Sequence, residues 1–144
     1  MNEMKSKLGK IRLIQTAYIV AIPLFAWIAE SVRGRGSNDW TLWHWLMTSL
    51  ALYAALAGFF LRRKLMRRSE EALSKDATNP KALKQWQAAH LIGFASAEAI
   101  VIWGVVVRMV LGGALWQASL FYVAGLFLLL LWTPRMPMTT PAST

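Results

Sequence analysis

Four apolar stretches, each close to the length that crosses a lipid bilayer, dominate this chain of 144 residues. They cover residues 11–32, 43–61, 86–111 and 115–133, and a helix needs about 20 apolar residues to cross a hydrocarbon core of about 30 Å. Only 16% of the residues are charged. The sequence therefore predicts an all-α integral membrane bundle of four transmembrane helices that forms one domain over residues 1–133.

Basic residues are concentrated before the first stretch and between the second and third. The formal net charge is +9, and residues 62–85 hold eight of the Lys and Arg residues. Because cytoplasmic segments carry the excess of Lys and Arg, both segments, and hence both termini, are expected to be cytoplasmic. Anionic lipid headgroups are the expected partner of the basic connection. Because the positive charge is concentrated in the segments expected to be cytoplasmic, membrane topology accounts for it, and nucleic acid is not expected as a partner.

The basic connection over residues 62–85 is itself predicted to be largely helical. Arg67 and Glu71 have the four-residue spacing that supports a surface helix. Asn79 followed by Pro80 has the pattern of an N-cap and the first turn of the next helix. At the other end of the chain, residues 134–144 are rich in Pro, Ser and Thr and are predicted to form a disordered tail.

One acidic residue, Glu98, lies near the middle of the third stretch. It is about 21 Å of helix from Lys84 and about 20 Å from Leu111 at 1.5 Å per residue. A carboxylate at this depth costs a few kcal/mol unless it is protonated, paired or facing water, so Glu98 is a candidate site for a proton or an ion. The alternative is a structural role, in which a protonated carboxyl joins neighbouring helices.

Three residues at the predicted depth of Glu98 are its candidate partners. Pro23 on the first helix leaves the Ile19 carbonyl without its helical donor, so a protonated Glu98 could donate to that carbonyl. Tyr53 on the second helix and Tyr122 on the fourth could instead donate to the charged carboxylate. The sequence leaves these possibilities open.

A stripe on the third helix predicts where that helix packs against its neighbours. His90, Gly93, Ala97 and Gly104 recur at three-, four- and seven-residue spacings. Small residues on such a stripe let another helix approach closely. His90, near the inner boundary, is interpreted as a packing or interfacial residue rather than as a proton relay.

Polar and aromatic residues mark the predicted membrane boundaries. Glu30 and Arg108 lie near the outer ends of parallel helices and are predicted to form a structural ion pair. The outer interface is predicted to carry Trp40, Trp43, Trp45 and Trp116, and the inner one Trp86 and Trp132. Indole rings favour these interfaces, so the tryptophans are interpreted as membrane anchors.

Several classes of site find no support in the sequence. The chain has no cysteine, which argues against disulfides and thiolate metal sites. His44 and His90 are expected at opposite membrane faces, so no metal ion and no cofactor are predicted. There is no nucleophile paired with a base and no phosphate-binding loop, and the protein is therefore not expected to be an enzyme.

The third helix has a pattern seen in a known family. From Gly93 to Val106 the chain reads GFASAEAIVIWGVV, with Glu98 followed by alanine and then, several residues on, by Gly104. This pattern resembles the carboxylate helix of the rotor subunit c of ATP synthase, which follows a polar cytoplasmic loop and runs outward. The resemblance implies an ion-binding role for Glu98 alone. The second helix departs from that family, because it has alanines where the family repeats Gly-x-Gly, and the connection is longer.

The whole chain is also similar to a family of uncharacterised bacterial four-helix membrane proteins. That similarity includes the exit from the fourth helix, Trp132-Thr133-Pro134-Arg135. It implies a multi-pass protein of the bacterial inner membrane and no established activity.

Two classes of function remain open at this point. In the first, Glu98 is a reversible proton or ion site in a small oligomeric protein of transport or energy coupling. In the second, the chain is an accessory or scaffold subunit of a larger membrane complex, and Glu98 is a buried structural carboxyl. Both place the protein in the cell membrane, as a homo-oligomer or together with other subunits.

Overall fold

The computed structural model describes residues 2–32, 42–76 and 78–135. Four helices form this part of the chain: α1 (Asn2–Ser31), α2 (Leu42–Lys75), α3 (Pro80–Met109) and α4 (Leu115–Leu131). No strand occurs in these residues, and the predicted all-α class is confirmed.

Three of the helices are long and apolar enough to cross a membrane, which indicates a membrane protein. They are α1 from Lys5 onward, α2 and α3. Helix α4 is also apolar but has 17 residues, which is at the lower end of the spanning range of about 17 to 25.

The helices extend beyond the apolar stretches on the side of the basic segments. Helix α2 continues past Leu61 to Lys75, as its charge spacing predicts. Asn79 caps α3, because its Oδ1 accepts hydrogen bonds from the N–H groups of Lys81 at 3.0 Å and Ala82 at 3.1 Å. Most of the basic connection is thus a helical hairpin rather than a loop.

Helix α3 is the central element of the bundle. It packs against α1, α2 and α4, and α1 also contacts α4. Within the described ranges the backbone of α2 approaches neither α1 nor α4. As a result, α3 has packed sides toward its three neighbours and an open side between α1 and α2.

The tryptophans differ between the two ends of the bundle. Trp43, Trp45 and Trp116 are exposed, as expected for the outer interface, whereas Trp86 and Trp132 are buried. The two predicted inner anchors are therefore core residues, because the helices on that side continue beyond the apolar stretches and cover them. Trp40 lies outside the described residues, as do residues 136–144 of the predicted tail, whereas Pro134 at its start is buried.

Candidate functional site

Glu98 lies at the edge of the packed face of α3 and is half-buried. Phe94, one turn earlier, is fully buried, and Ile102, one turn later, is 46% exposed. These three side chains share one ridge of α3, since residues four apart lie one above the other. Glu98 is thus placed where the core meets the open side of α3.

Helix α1 supplies a polar partner for Glu98. The Tyr18 hydroxyl is in electrostatic range of the Glu98 side chain. The Tyr18 ring also lies 6.1 Å from the ring of Phe94, centroid to centroid. A phenol can donate to a carboxylate and can accept from a protonated carboxyl, so Tyr18 is able to serve both states of Glu98.

The partners nominated from the sequence lie elsewhere. Tyr53 is 73% exposed on the side of α2 that faces away from α3. Tyr122 is buried against α3 nearer its C-terminal end, where its hydroxyl is in electrostatic range of Glu30 and Arg108. Ile19 is half-buried and packs against the main core. The structure therefore places Tyr18, the residue before Ile19, beside Glu98 in place of the two nominated tyrosines.

Gln15 fixes the rotation of α1 that directs Tyr18 toward α3. It lies one turn before Tyr18, is buried, and donates from Nε2 to the Leu129 carbonyl of α4 at 2.6 Å. Leu129 is in the last turn of α4, where carbonyl groups have no donor within the helix. Gln15 satisfies one of these carbonyls from a different helix. It was missed in the sequence, although it is an isolated amide within an apolar stretch.

Glu30 and Arg108 form a two-bond ion pair. Arg108 donates from Nε to Glu30 Oε1 at 2.5 Å and from Nη2 to Oε2 at 2.8 Å. Its Nη1 donates to the Gly113 carbonyl at 2.6 Å. The side chains are only 11% and 36% exposed for Arg108 and Glu30. The ion pair predicted from the membrane depth of Glu30 and Arg108 is therefore present. It connects the C-terminal ends of α1 and α3 with the turn before α4.

The first half of the small-residue stripe lies against a half-buried basic side chain, that of Arg62. A Cβ atom on Gly93 would lie 2.9 Å from both Arg62 Cδ and Trp132 Cε3. The Arg62 guanidinium is 5.2 Å from the centroid of the Trp132 ring, a cation–π geometry. Gly93 thus makes room for side chains of α2 and α4 rather than for a neighbouring backbone.

His90 is buried beside this cluster. Its ring lies 4.8 Å from the ring of Trp86 and 6.2 Å from the ring of Phe94. Within the described protein neither of its nitrogens has a hydrogen-bond partner. Because the fully buried Phe94 lies between His90 and Glu98 on the ridge, no polar path joins these two residues along α3 in this conformation.

The second half of the stripe packs against α4. A Cβ atom on Gly104 would lie 2.7 Å from Tyr122 Cε1. Closer backbone approach occurs at Gly125, where a Cβ atom would lie 2.9 Å from the Ala97 carbonyl oxygen. The stripe is therefore covered within the chain, by α2 at one end and α4 along the rest.

Two further findings limit what this site can be. In the part of the chain that the structure describes, no three His, Cys, Asp or Glu side chains come close enough to hold a metal ion. The salt bridges found there join Arg67 to Glu71 and Arg108 to Glu30, so neither involves Glu98. The chemistry around Glu98 is that of one carboxyl and one phenol at an apolar helix interface.

Comparison with protein-family models, curated proteins and solved structures finds no match to this chain. The resemblance of α3 to the carboxylate helix of subunit c, and that of the whole chain to bacterial four-helix membrane proteins, stay predictions from the sequence.

Proposed function

We propose that this protein is a small integral membrane protein that binds a proton reversibly at Glu98. The observation that carries the proposal is the position of Tyr18, whose ring lies 6.1 Å from that of Phe94, one turn before Glu98, and whose hydroxyl is in electrostatic range of the Glu98 carboxyl. A carboxyl at mid-membrane is costly and so is a functional candidate by default. The phenol lowers that cost in both protonation states, because it can act as donor or acceptor.

The proposed membrane placement has four spans and both termini in the cytoplasm. Helices α1, α2 and α3 supply three candidate spans, and α4 crosses with a length of about 26 Å at 1.5 Å per residue. The basic N-terminal part of α1 and the basic hairpin between α2 and α3 then lie on the cytoplasmic side. In this arrangement Glu98 is near the bilayer centre.

A proton fits this site better than a metal or alkali cation. Hard cations such as Ca²⁺ and Mg²⁺ take about six to eight oxygen ligands. The phenol of Tyr18 and the carboxyl of Glu98 are two oxygen-bearing groups, and the neighbours on the ridge, Phe94 and Ile102, are apolar. Two such groups suffice to hold and exchange a proton.

Carbodiimide labelling of the full chain in membranes tests this proposal. These reagents modify protonated carboxyl groups, and Glu98→Gln supplies the blank for labelling at other sites. Labelling of Glu98 is expected to fall as pH rises and to be insensitive to sodium. In Tyr18→Phe the pH dependence of this labelling should differ from that of the wild type, because the carboxyl loses its phenol partner.

Two other outcomes of the labelling experiment would overturn proton binding at Glu98. Protection by sodium would replace the proton by an ion at the same site. A Glu98 that stays unreactive at every pH would contradict the proposal and leave a structural carboxyl.

The second candidate, an accessory subunit of a larger complex, is favoured by a different feature. An apolar groove of about 360 Å³ runs between α2 and α4, with Ala51 and Ala55 on one wall, Phe121 and Leu128 on the other, and Ile100 at its floor. A partner helix could occupy such a groove. Ala55→Trp would then remove the protein from a high-mass membrane assembly, seen by native electrophoresis, while Glu98 labelling stays as in the wild type.

A further inference from the structure

The part of α2 that extends beyond Leu61 has two sharply different faces. On the face toward α3, Ser69 and Leu73 are fully buried. On the opposite face, Arg63, Lys64, Arg67 and Arg68 are all exposed. We call these four residues the basic stripe. Together with Phe60 and Glu71 the stripe lines a cleft of about 630 Å³ on the surface of α2.

The basic stripe directly continues an apolar face of the same helix. Leu46, Leu50, Tyr53 and Phe60 lie on this side of α2 at three-, four- and seven-residue spacings, and all are exposed. Residues at such spacings share one face of a helix. In a membrane these apolar side chains face lipid tails, so the basic stripe follows at the height of the headgroups.

The heights along α2 support this placement. Arg63 and Lys64 lie about 3 and 4.5 Å of helix beyond Leu61, and Arg68 lies about 10.5 Å beyond it. The headgroup region extends about 5 to 8 Å outside the hydrocarbon core on each side, so Arg63 and Lys64 lie within it and Arg68 lies just beyond its outer edge. Arg67 is paired with Glu71 at 3.0 Å in a highly exposed ion pair, which contributes little by itself.

We propose that the basic stripe of α2 is a binding surface for anionic phospholipid headgroups, which it holds against the lipid-facing side of the helix. The cationic side chains of Arg63, Lys64 and Arg68 supply the charge complementarity. Phe60 at the edge of the cleft lies at the boundary where the acyl chains begin. The proposal requires that α2 crosses the membrane, and it does not depend on proton binding at Glu98.

A matched pair of charge-neutralising variants tests this surface. The test variant replaces Arg63, Lys64 and Arg68 by Gln, and the control variant replaces Lys75, Lys81 and Lys84 by Gln. Both remove three positive charges from exposed positions of the same hairpin. The control lysines belong to the same hairpin but lie outside the basic stripe and the cleft that it lines.

The measurement is the association constant of spin-labelled phosphatidylglycerol relative to phosphatidylcholine, for the full chain in mixed vesicles. The wild type should prefer phosphatidylglycerol, and high salt should weaken the preference. A basic residue near an anionic surface contributes about 1 kcal/mol, so each substitution in the test variant should lower the ratio by up to about fivefold. The control variant should keep most of the wild-type ratio.

Three results would overturn the proposal. The first is an equal loss in the test and control variants, which would show a general effect of net charge. The second is a test variant that keeps the wild-type preference. The third is a wild type with no preference for phosphatidylglycerol over phosphatidylcholine.

Discussion

The hydrogen bond from Gln15 to Leu129 makes a testable claim about how α1 is held. Gln15→Met keeps the length and most of the volume of the side chain but removes its donor. The Leu129 carbonyl, in the last turn of α4, then has no donor from α1. We expect the bundle to lose stability and α1 to lose a fixed rotation.

The magnitude follows from the burial of the bond. A hydrogen bond contributes about 0.5 to 1.5 kcal/mol net, and leaving a buried partner unsatisfied costs about 1 to 3 kcal/mol. Interhelical hydrogen bonds measured within membranes average about 0.6 kcal/mol. The expected loss is therefore about 1 to 2 kcal/mol, which is roughly a tenfold change in the unfolding equilibrium.

Reversible unfolding in mixed detergent micelles measures this loss. Thr16→Val is the matched control, because Thr16 is exposed at the next position and its hydroxyl bonds only to the Arg12 carbonyl of its own helix, at 3.0 Å. The control should change stability by less than about 0.5 kcal/mol. Equal stability of the two variants would refute the assignment of Gln15 as the cap of α4.

Three further predictions concern packing, topology and pH. Gly104→Leu should destabilise the bundle by about 1 to 3 kcal/mol or more through overpacking, whereas Ala95→Leu on the exposed side of α3 should be near neutral in thermal melting in detergent. A cysteine introduced at Ser37, which lies outside the described residues, should react with an impermeant thiol reagent on intact cells. A cysteine at Ser74 should not react. The reverse pattern would contradict cytoplasmic termini. Hydrogen bonds from Thr78 lower the pKa of the Asp76 carboxyl. The stability that these bonds give to the fold should therefore be present at neutral pH and lost as pH falls through that lowered pKa. Asp76→Ala should remove this acid dependence of thermal unfolding.

Position along the helices could be read from the sequence. A rise of 1.5 Å per residue fixes depth once the apolar stretches are aligned, and depth was sufficient to pair Glu30 with Arg108. The signals at Asn79 and Pro80 were sufficient to end one helix and begin the next, because capping depends on residues close in sequence.

Rotation about the helix axes could not be read in the same way. Tyr18 and Tyr53 lie at depths similar to that of Glu98, but only packing against α3 decides which of them faces the carboxyl. In a membrane the lipid-facing side is as apolar as the packed side, so the pattern of apolar residues does not distinguish the two. The close approach at Gly125 was missed for the same reason, since a glycine in an apolar helix does not show which neighbour it meets.

Infrared difference spectroscopy of the reconstituted protein tests the central claim most directly. If Glu98 binds a proton reversibly, the wild type shows a protonated-carboxyl band that disappears as pH is raised and returns as it is lowered. The band should be absent in Glu98→Gln and should shift in frequency in Tyr18→Phe, because the carboxyl loses its phenol partner. A band that is missing in the wild type at every pH, or that persists unchanged in Glu98→Gln, would contradict the account.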